Sequence, residues 1–188
     1  TAYDGGGRPS NLYYIPAKRF KTVDIEISFY MPLTAENASM NALIAPVLKS
    51  GTENCPTAKL LNRRLEELYG ASLTASAAKQ GEASVMQCSM QYVNPKFLSE
   101  DIGEDCIGLL CDVICNPLIE NGCFKSDYFE LERKNLIDSI EALINDKKSY
   151  AAWRCKEEMC KDEPYGVFSQ GKIDVIKEIT SSQAYDFY

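Results

Sequence analysis

Eight cysteines and no histidine are the first constraint on any chemistry this 188-residue chain performs. Without an imidazole there is no Ser-His-Asp triad, no Cys-His dyad and no His-ligated zinc. Carboxylate pairs, an activated Lys or Cys, and all-Cys metal sites remain. The cysteines are Cys55, Cys88, Cys106, Cys111, Cys115, Cys123, Cys155 and Cys160, and none forms C-x-x-C. That removes a zinc ribbon and a thioredoxin-like redox motif. Cys111 and Cys115 share a helical face, with Cys106 shortly before them, in an apolar stretch. They are expected to be small buried hydrophobes, because an Fe–S or zinc site would need matching ligands elsewhere. A chain of this length and apolar content needs no disulfide framework. The thiols therefore read as reduced, and the expected compartment is cytoplasmic.

The charged and aromatic candidates are weaker. Glu66 and Glu67 are adjacent, so on a helix they diverge and face solvent rather than each other. Glu130, Glu132, Asp138 and Glu141 sit opposite an apolar stripe, as a solvated face would. Arg63 and Arg64 with Lys59 form a small basic cluster suited to surface salt bridges. Trp153, Tyr150 and Tyr165 are expected to pack the end of a long helix. The net charge of −7 gives a phosphate backbone no electrostatic support, so no nucleic acid is expected. No apolar run reaches the roughly 18–20 residues of a membrane span, and no signal-peptide pattern opens the chain.

These residues must be positioned by a mixed set of elements. After Gly5-Gly6-Gly7, residues 12–15 (Leu-Tyr-Tyr-Ile) read as a short strand ended by Pro16. Residues 23–30 alternate Val23, Ile25, Ile27, Phe29 against Asp24, Glu26, Ser28, Tyr30, the pattern of a half-buried strand. Thr34 caps a helix running to Lys49, with Pro46 inside it and Gly51 after it. A second helix starts at Thr57, carries Leu60, Leu61, Leu65 and Leu68, and stops at Gly70. Residues 71–79 and 83–93 form a hairpin about Gln80-Gly81-Glu82. Helices then follow over 99–116, after Ser126, over 150–160, over 173–179 and from Thr180. Hairpin-grouped strands with separate helices predict an α+β fold, a mostly antiparallel sheet with helices on one face, in a single domain over 1–188. The expected context is a longer chain of which this domain is one part.

Two groups of residues carry a resemblance. Lys49-Ser50-Gly51-Thr52-Glu53-Asn54, the run LLNRRLEELYG at 60–70 and Ala71-Ser72-Leu73 resemble the first domain of the pitrilysin/insulinase-like zinc metallopeptidases, the inverzincins. Phe20-Lys21-Thr22, the run from Ile144 to Ala151, Glu157-Glu158-Met159-Cys160 and Glu163-Pro164-Tyr165-Gly166 are similar to one bacterial subgroup. That subgroup is the YfmF-type proteins associated with the 5-aminopentanol modification of elongation factor P. The resemblance implies an H-x-x-E-H helix, but its two histidines and glutamate fall on Ala42, Pro46 and Ala45. The family's third ligand falls on Ser139, with Glu132 matching its neighbour seven residues earlier. Alanine offers no ligand atom and proline no imidazole, so the implied zinc motif is degenerate and no cofactor is expected.

The same resemblance implies a role without catalysis. In active members the strand matching 71–79 lies beside the zinc helix and takes extended substrate as an added strand. Here that strand is small and polar, which admits another backbone closely; Leu73, Thr74, Ala75, Ser76 and Ala77 are its candidate substrate-binding residues. The competing reading is a plain edge strand whose small residues fit under a helix. The function implied is one wall of a peptide-binding chamber, in a heterodimer with a homologous zinc-bearing subunit that carries H-x-x-E-H. The alternatives are an active zinc peptidase whose metal site lies elsewhere in a longer chain, and a non-proteolytic scaffold in a protein-modification pathway.

Overall fold

A computed structural model describes residues 2–3, 9–17 and 19–188. In chain order the elements are β1 (Ala2–Tyr3), β2 (Pro9–Ser10), β3 (Thr22–Pro32), α1 (Ala35–Leu48), α2 (Ala58–Glu67), β4 (Ser72–Gln80) and β5 (Ala83–Val93). They continue with α3 (Gly103–Cys115), β6 (Ile119–Glu120), β7 (Cys123–Phe124), α4 (Ser126–Ala142), α5 (Lys147–Met159), α6 (Ile173–Glu178) and α7 (Ser181–Phe187). The main sheet is antiparallel in the order β3-β5-β4.

The alternation read from β3 continues across the sheet. Ile25 pairs with Met90, which pairs with Leu73, and Ile27 with Cys88, which pairs with Ala75. Those rows form the core face, where Leu73, Cys88 and Met90 are buried with Leu43, Ile44, Leu48 and Phe129 of the helices. The opposite face is polar. Gln91 donates to Asp24 at 2.6 Å and Gln87 to Glu26 at 3.2 Å, while Thr74 and Ser89 share a hydroxyl contact at 2.5 Å. With one apolar and one hydrophilic face, the sheet takes its helices on the apolar side only. The α+β architecture is the one expected.

Local signals held at most helix starts. The hydroxyls of Thr34, Thr57 and Thr180 accept from the third residue of their helices, and Asp146 does the same for α5. Pro46 stays inside α1 but alters its end. It cannot donate to Ala42, and the last bonds become tighter, Lys49 N–H to Pro46 and Ser50 N–H to Val47. Gly51 is required by a close approach, since a Cβ there would lie 3.1 Å from the Cys55 carbonyl oxygen.

Several expectations fail. Residues 12–15 form no strand; they lie in an irregular segment with all four side chains at least 80% exposed. Strand-like composition cannot supply the neighbour that a strand needs. The helix expected from residue 99 starts at Gly103, after a turn at Pro95–Phe97. Leu60, expected on the apolar stripe of α2, is exposed, and only Leu61 of that helix is buried. The short β6–β7 ribbon was not anticipated; it turns through Asn121 and Gly122, both at positive φ. Gly5, Gly6 and Gly7 lie outside the described residues.

Candidate functional site

The site positions converge on α1, the strand β4 beside it, and α4. Ala42, Ala45 and Pro46 occupy successive turns of α1. Ala42 is 6% exposed and Ala45 fully buried, both within the hydrophobic core. The rest of the helix is anchored polar-wise: Asn41 donates to Ser84 at 2.8 Å, and Ser39 accepts from the Lys172 N–H at 3.1 Å. Methyl groups and a pyrrolidine ring offer no donor atom, so this part of α1 does not fit a zinc ion. Among the described residues no group of three or more His, Cys, Asp or Glu is placed to hold a metal.

On α4, Phe129, Leu136 and Ile140 are buried, and Glu132 lies beside them half-buried. Glu132 accepts from Ser50 at 3.2 Å and from Asn135 at 3.2 Å, so both its oxygens are engaged. It is not the freely solvated residue its position suggested. Ser139, seven residues on, falls on the same flank of the helix. It is exposed, and its hydroxyl donates back to the Leu136 carbonyl at 2.7 Å, leaving it turned to its own helix.

The candidate strand divides by face. Leu73, Ala75 and Ala77 point to the core under α1, while Thr74 and Ser76 are exposed. The small residues facing α1 are those expected of a strand fitted under a helix. β4 pairs with β5 along its whole length, and among the described residues no strand pairs with its other edge. At its far end Lys79 donates to the carbonyls of Tyr165 at 2.6 Å and Val167 at 2.9 Å, and its ammonium lies 4.3 Å from the Tyr165 ring centre. Burial, with Lys156 nearby, holds the Lys79 ammonium below its ordinary pKa. This clasp ties residues 164–167 to the end of the edge strand. Sequence reading missed it, because nothing local links residues some 86 apart.

The other candidates resolve without chemistry. Arg63 pairs with Glu67, and Arg64 with Glu67 and Asp105, all on the surface. Trp153 packs on Phe168 with ring centres 4.6 Å apart. Cys88 and Cys106 are buried, and burial lifts the Cys88 thiol to about 11. Cys111 and Cys115 are exposed, contrary to expectation. Helical spacing placed them together, but the buried stripe of α3 is Cys106, Leu109, Leu110 and Val113. Between them Asp112 accepts from Thr52 and Asn54, each at 2.7 Å, and so fastens the loop after α1 to α3. No described helix is long and apolar enough to cross a membrane.

No protein-family model matches the chain. It is 33% identical over 185 residues to a probable inactive metalloprotease, YmfF, of Bacillus subtilis (strain 168), covering 97% of this chain and 43% of that relative. A solved structure of a conserved protein from Enterococcus faecalis V583 superposes with a TM-score of 0.85 at 27% identity, over 92% of this chain and 41% of that one. A peptidase M16 inactive domain from Pseudomonas fluorescens shares the fold, with a TM-score of 0.67 at 18% identity, over 91% of this chain and 38% of that one. The chain thus spans less than half the length of these relatives. In sequence the chain is similar to this inactive metalloprotease homologue, and in fold to the peptidase M16 inactive domain, in line with the resemblance that its motifs carry.

Proposed function

We propose that this domain is a non-catalytic wall of a peptide-binding chamber, paired with a homologous subunit whose intact H-x-x-E-H supplies the zinc. One observation carries the reading: α1 has buried Ala42 and Ala45 and the ring of Pro46 where two ligands and a base are needed, while among the described residues no strand pairs with the β4 edge beside it. The two together support a domain that supplies no zinc chemistry and holds an extended peptide along its edge. The bare polar face of the sheet supports the same role, since it offers hydroxyls, amides and carboxylates to a hydrated cavity. The substrate class is peptide or protein, and the compartment is cytoplasmic.

The test is affinity capture of the complete protein from its own cells, with zinc analysis of whatever accompanies it. A stoichiometric zinc-bearing partner with H-x-x-E-H, and peptide hydrolysis by the pair but by neither alone, is the expected result. A partner without metal would favour a non-proteolytic scaffold. Metal bound by the complete polypeptide alone would favour an active peptidase with its site outside these residues.

A further inference from the structure

Among the described residues the edge of the sheet opposite β4 is also unpaired, and no lysine, bulge or covering segment protects it. Exposed sheet edges are ordinarily protected by lysines, prolines, bulges or covering segments, because their free N–H and C=O groups recruit other strands. β3 runs for eleven residues in unbroken register with β5, from Thr22 opposite Val93 to Pro32 opposite Ala83. It contains no Lys, Arg or Gly, and its one proline is the last residue. Among the described residues no strand lies on its outer side. Just before it, Leu12, Tyr13, Tyr14 and Ile15 are 87, 80, 86 and 84% exposed, and Phe20 is 65% exposed. This apolar, β-prone segment does not fold back as a hairpin on β3, although six residues connect the two.

We infer that β3 is the acceptor for a strand supplied by a further part of the same polypeptide, inserted between β3 and residues 12–15, which close over it as the next strand. Chain length permits this. A six-residue connection reaches about 20 Å when extended, and spanning one inserted strand needs about 10 Å. The occupant is assigned to the same polypeptide because the relatives are more than twice as long, this chain covering 43% of one and 41% of another. Insertion would satisfy the free β3 backbone groups and cover Leu12, Tyr13, Tyr14 and Ile15 together. The inference is independent of the peptide-chamber reading, which concerns the opposite edge.

The test is amide hydrogen exchange on the 188-residue chain and on the complete gene product. In the shorter chain, residues 12–15 and every second amide of β3 should exchange freely; in the complete product both should slow by roughly 100-fold or more. A proline scan supports the comparison: of Glu26→Pro and Ile27→Pro, one should leave the 188-residue chain folded and yet lower the melting temperature of the complete product. Should both variants unfold the shorter chain, the exchange comparison decides alone. Free exchange in both proteins overturns the inference, as does a reading frame that stops at Tyr188. Protection in the 188-residue monomer, or protection that appears only as it dimerises, also overturns it, the latter by assigning the edge to a second copy.

Discussion

Ser50, two residues past the end of α1, presents one hydroxyl proton to two acceptors, Glu132 of α4 at 3.2 Å and the Pro46 carbonyl at 3.3 Å. A carboxylate near a helix C-terminus is repelled by the helix dipole. The hydroxyl between them converts that repulsion into a contact joining the two helices. The Glu132 carboxylate is therefore occupied by structure. Ser50→Ala should destabilise the domain by about 1.5–3 kcal/mol in urea unfolding, the range for a hydrogen bond to a charged group. Glu132→Gln, which keeps an acceptor, should cost less. Equal losses would mean the charge, not the hydrogen bond, holds the helices together.

Metal binding is the direct test of the α1 reading. Purified alone, the chain should hold substoichiometric zinc and cleave no peptide. Tight one-to-one zinc that survives alkylation of the cysteines would contradict this; zinc lost on alkylation would locate an unforeseen thiolate site instead.

Restoring the motif should fail. Ala42→His, Ala45→Glu and Pro46→His place three large polar groups where two residues are now buried. The triple variant should lose stability by several kcal/mol through overpacking and unsatisfied polar atoms, and should gain no peptidase activity. Adding Ser139→Glu tests the position of the third ligand. Zinc uptake by the quadruple but not the triple variant would support it, whereas uptake by the triple variant alone would assign the ligand to another carboxylate.

The sequence made legible whatever depends on neighbours along the chain. Three threonine caps, the β3 alternation and the hairpin at Gly81 follow from residues within a few positions of each other. The failures were nonlocal. Leu12-Tyr13-Tyr14-Ile15 has strand composition but no neighbour, and Cys111 and Cys115 have helical spacing but lie on the open side of α3. In the candidate site, the loss of metal ligands was readable from residue types, because alanine coordinates nothing wherever it is placed. The Lys79 clasp and the Ser50–Glu132 contact were not, since each joins residues more than 80 apart.

Alkaline pH should weaken the fold through Cys88. Its thiol ordinarily ionises near 9, and burial between Ile27 and Ala75 raises that to about 11. The folded state thus keeps a proton that the unfolded chain releases, so stability is full below pH 9, falls between 9 and about 11, and levels beyond. Tyr188, lifted by burial to about 12, adds a second loss at higher pH. Cys88→Val, of similar volume and without a titrating group, should show a shallower fall in melting temperature between pH 9 and 10.5. Parallel profiles for the two proteins would remove Cys88 as the cause.

The β4 edge is tested by proline at successive positions. Consecutive N–H groups along a strand point to opposite sides within the sheet, so Ala75→Pro and Ser76→Pro remove one bond to β5 and one free edge group. The variant losing the bond to β5 should be strongly destabilised, since proline removes a ladder hydrogen bond from inside the sheet. The other should fold with a melting temperature close to that of the unmodified chain, because its N–H faced only solvent. In the assembled complex this second variant should handle extended peptides poorly, having lost the main-chain donor that an added strand would use. Side-chain changes at Thr74 on the polar face should matter less, since augmentation uses the backbone. If both prolines destabilise equally, β4 is paired on both sides and the peptide-wall reading loses its support; if the folded variant handles peptide normally, the edge is open but serves something else.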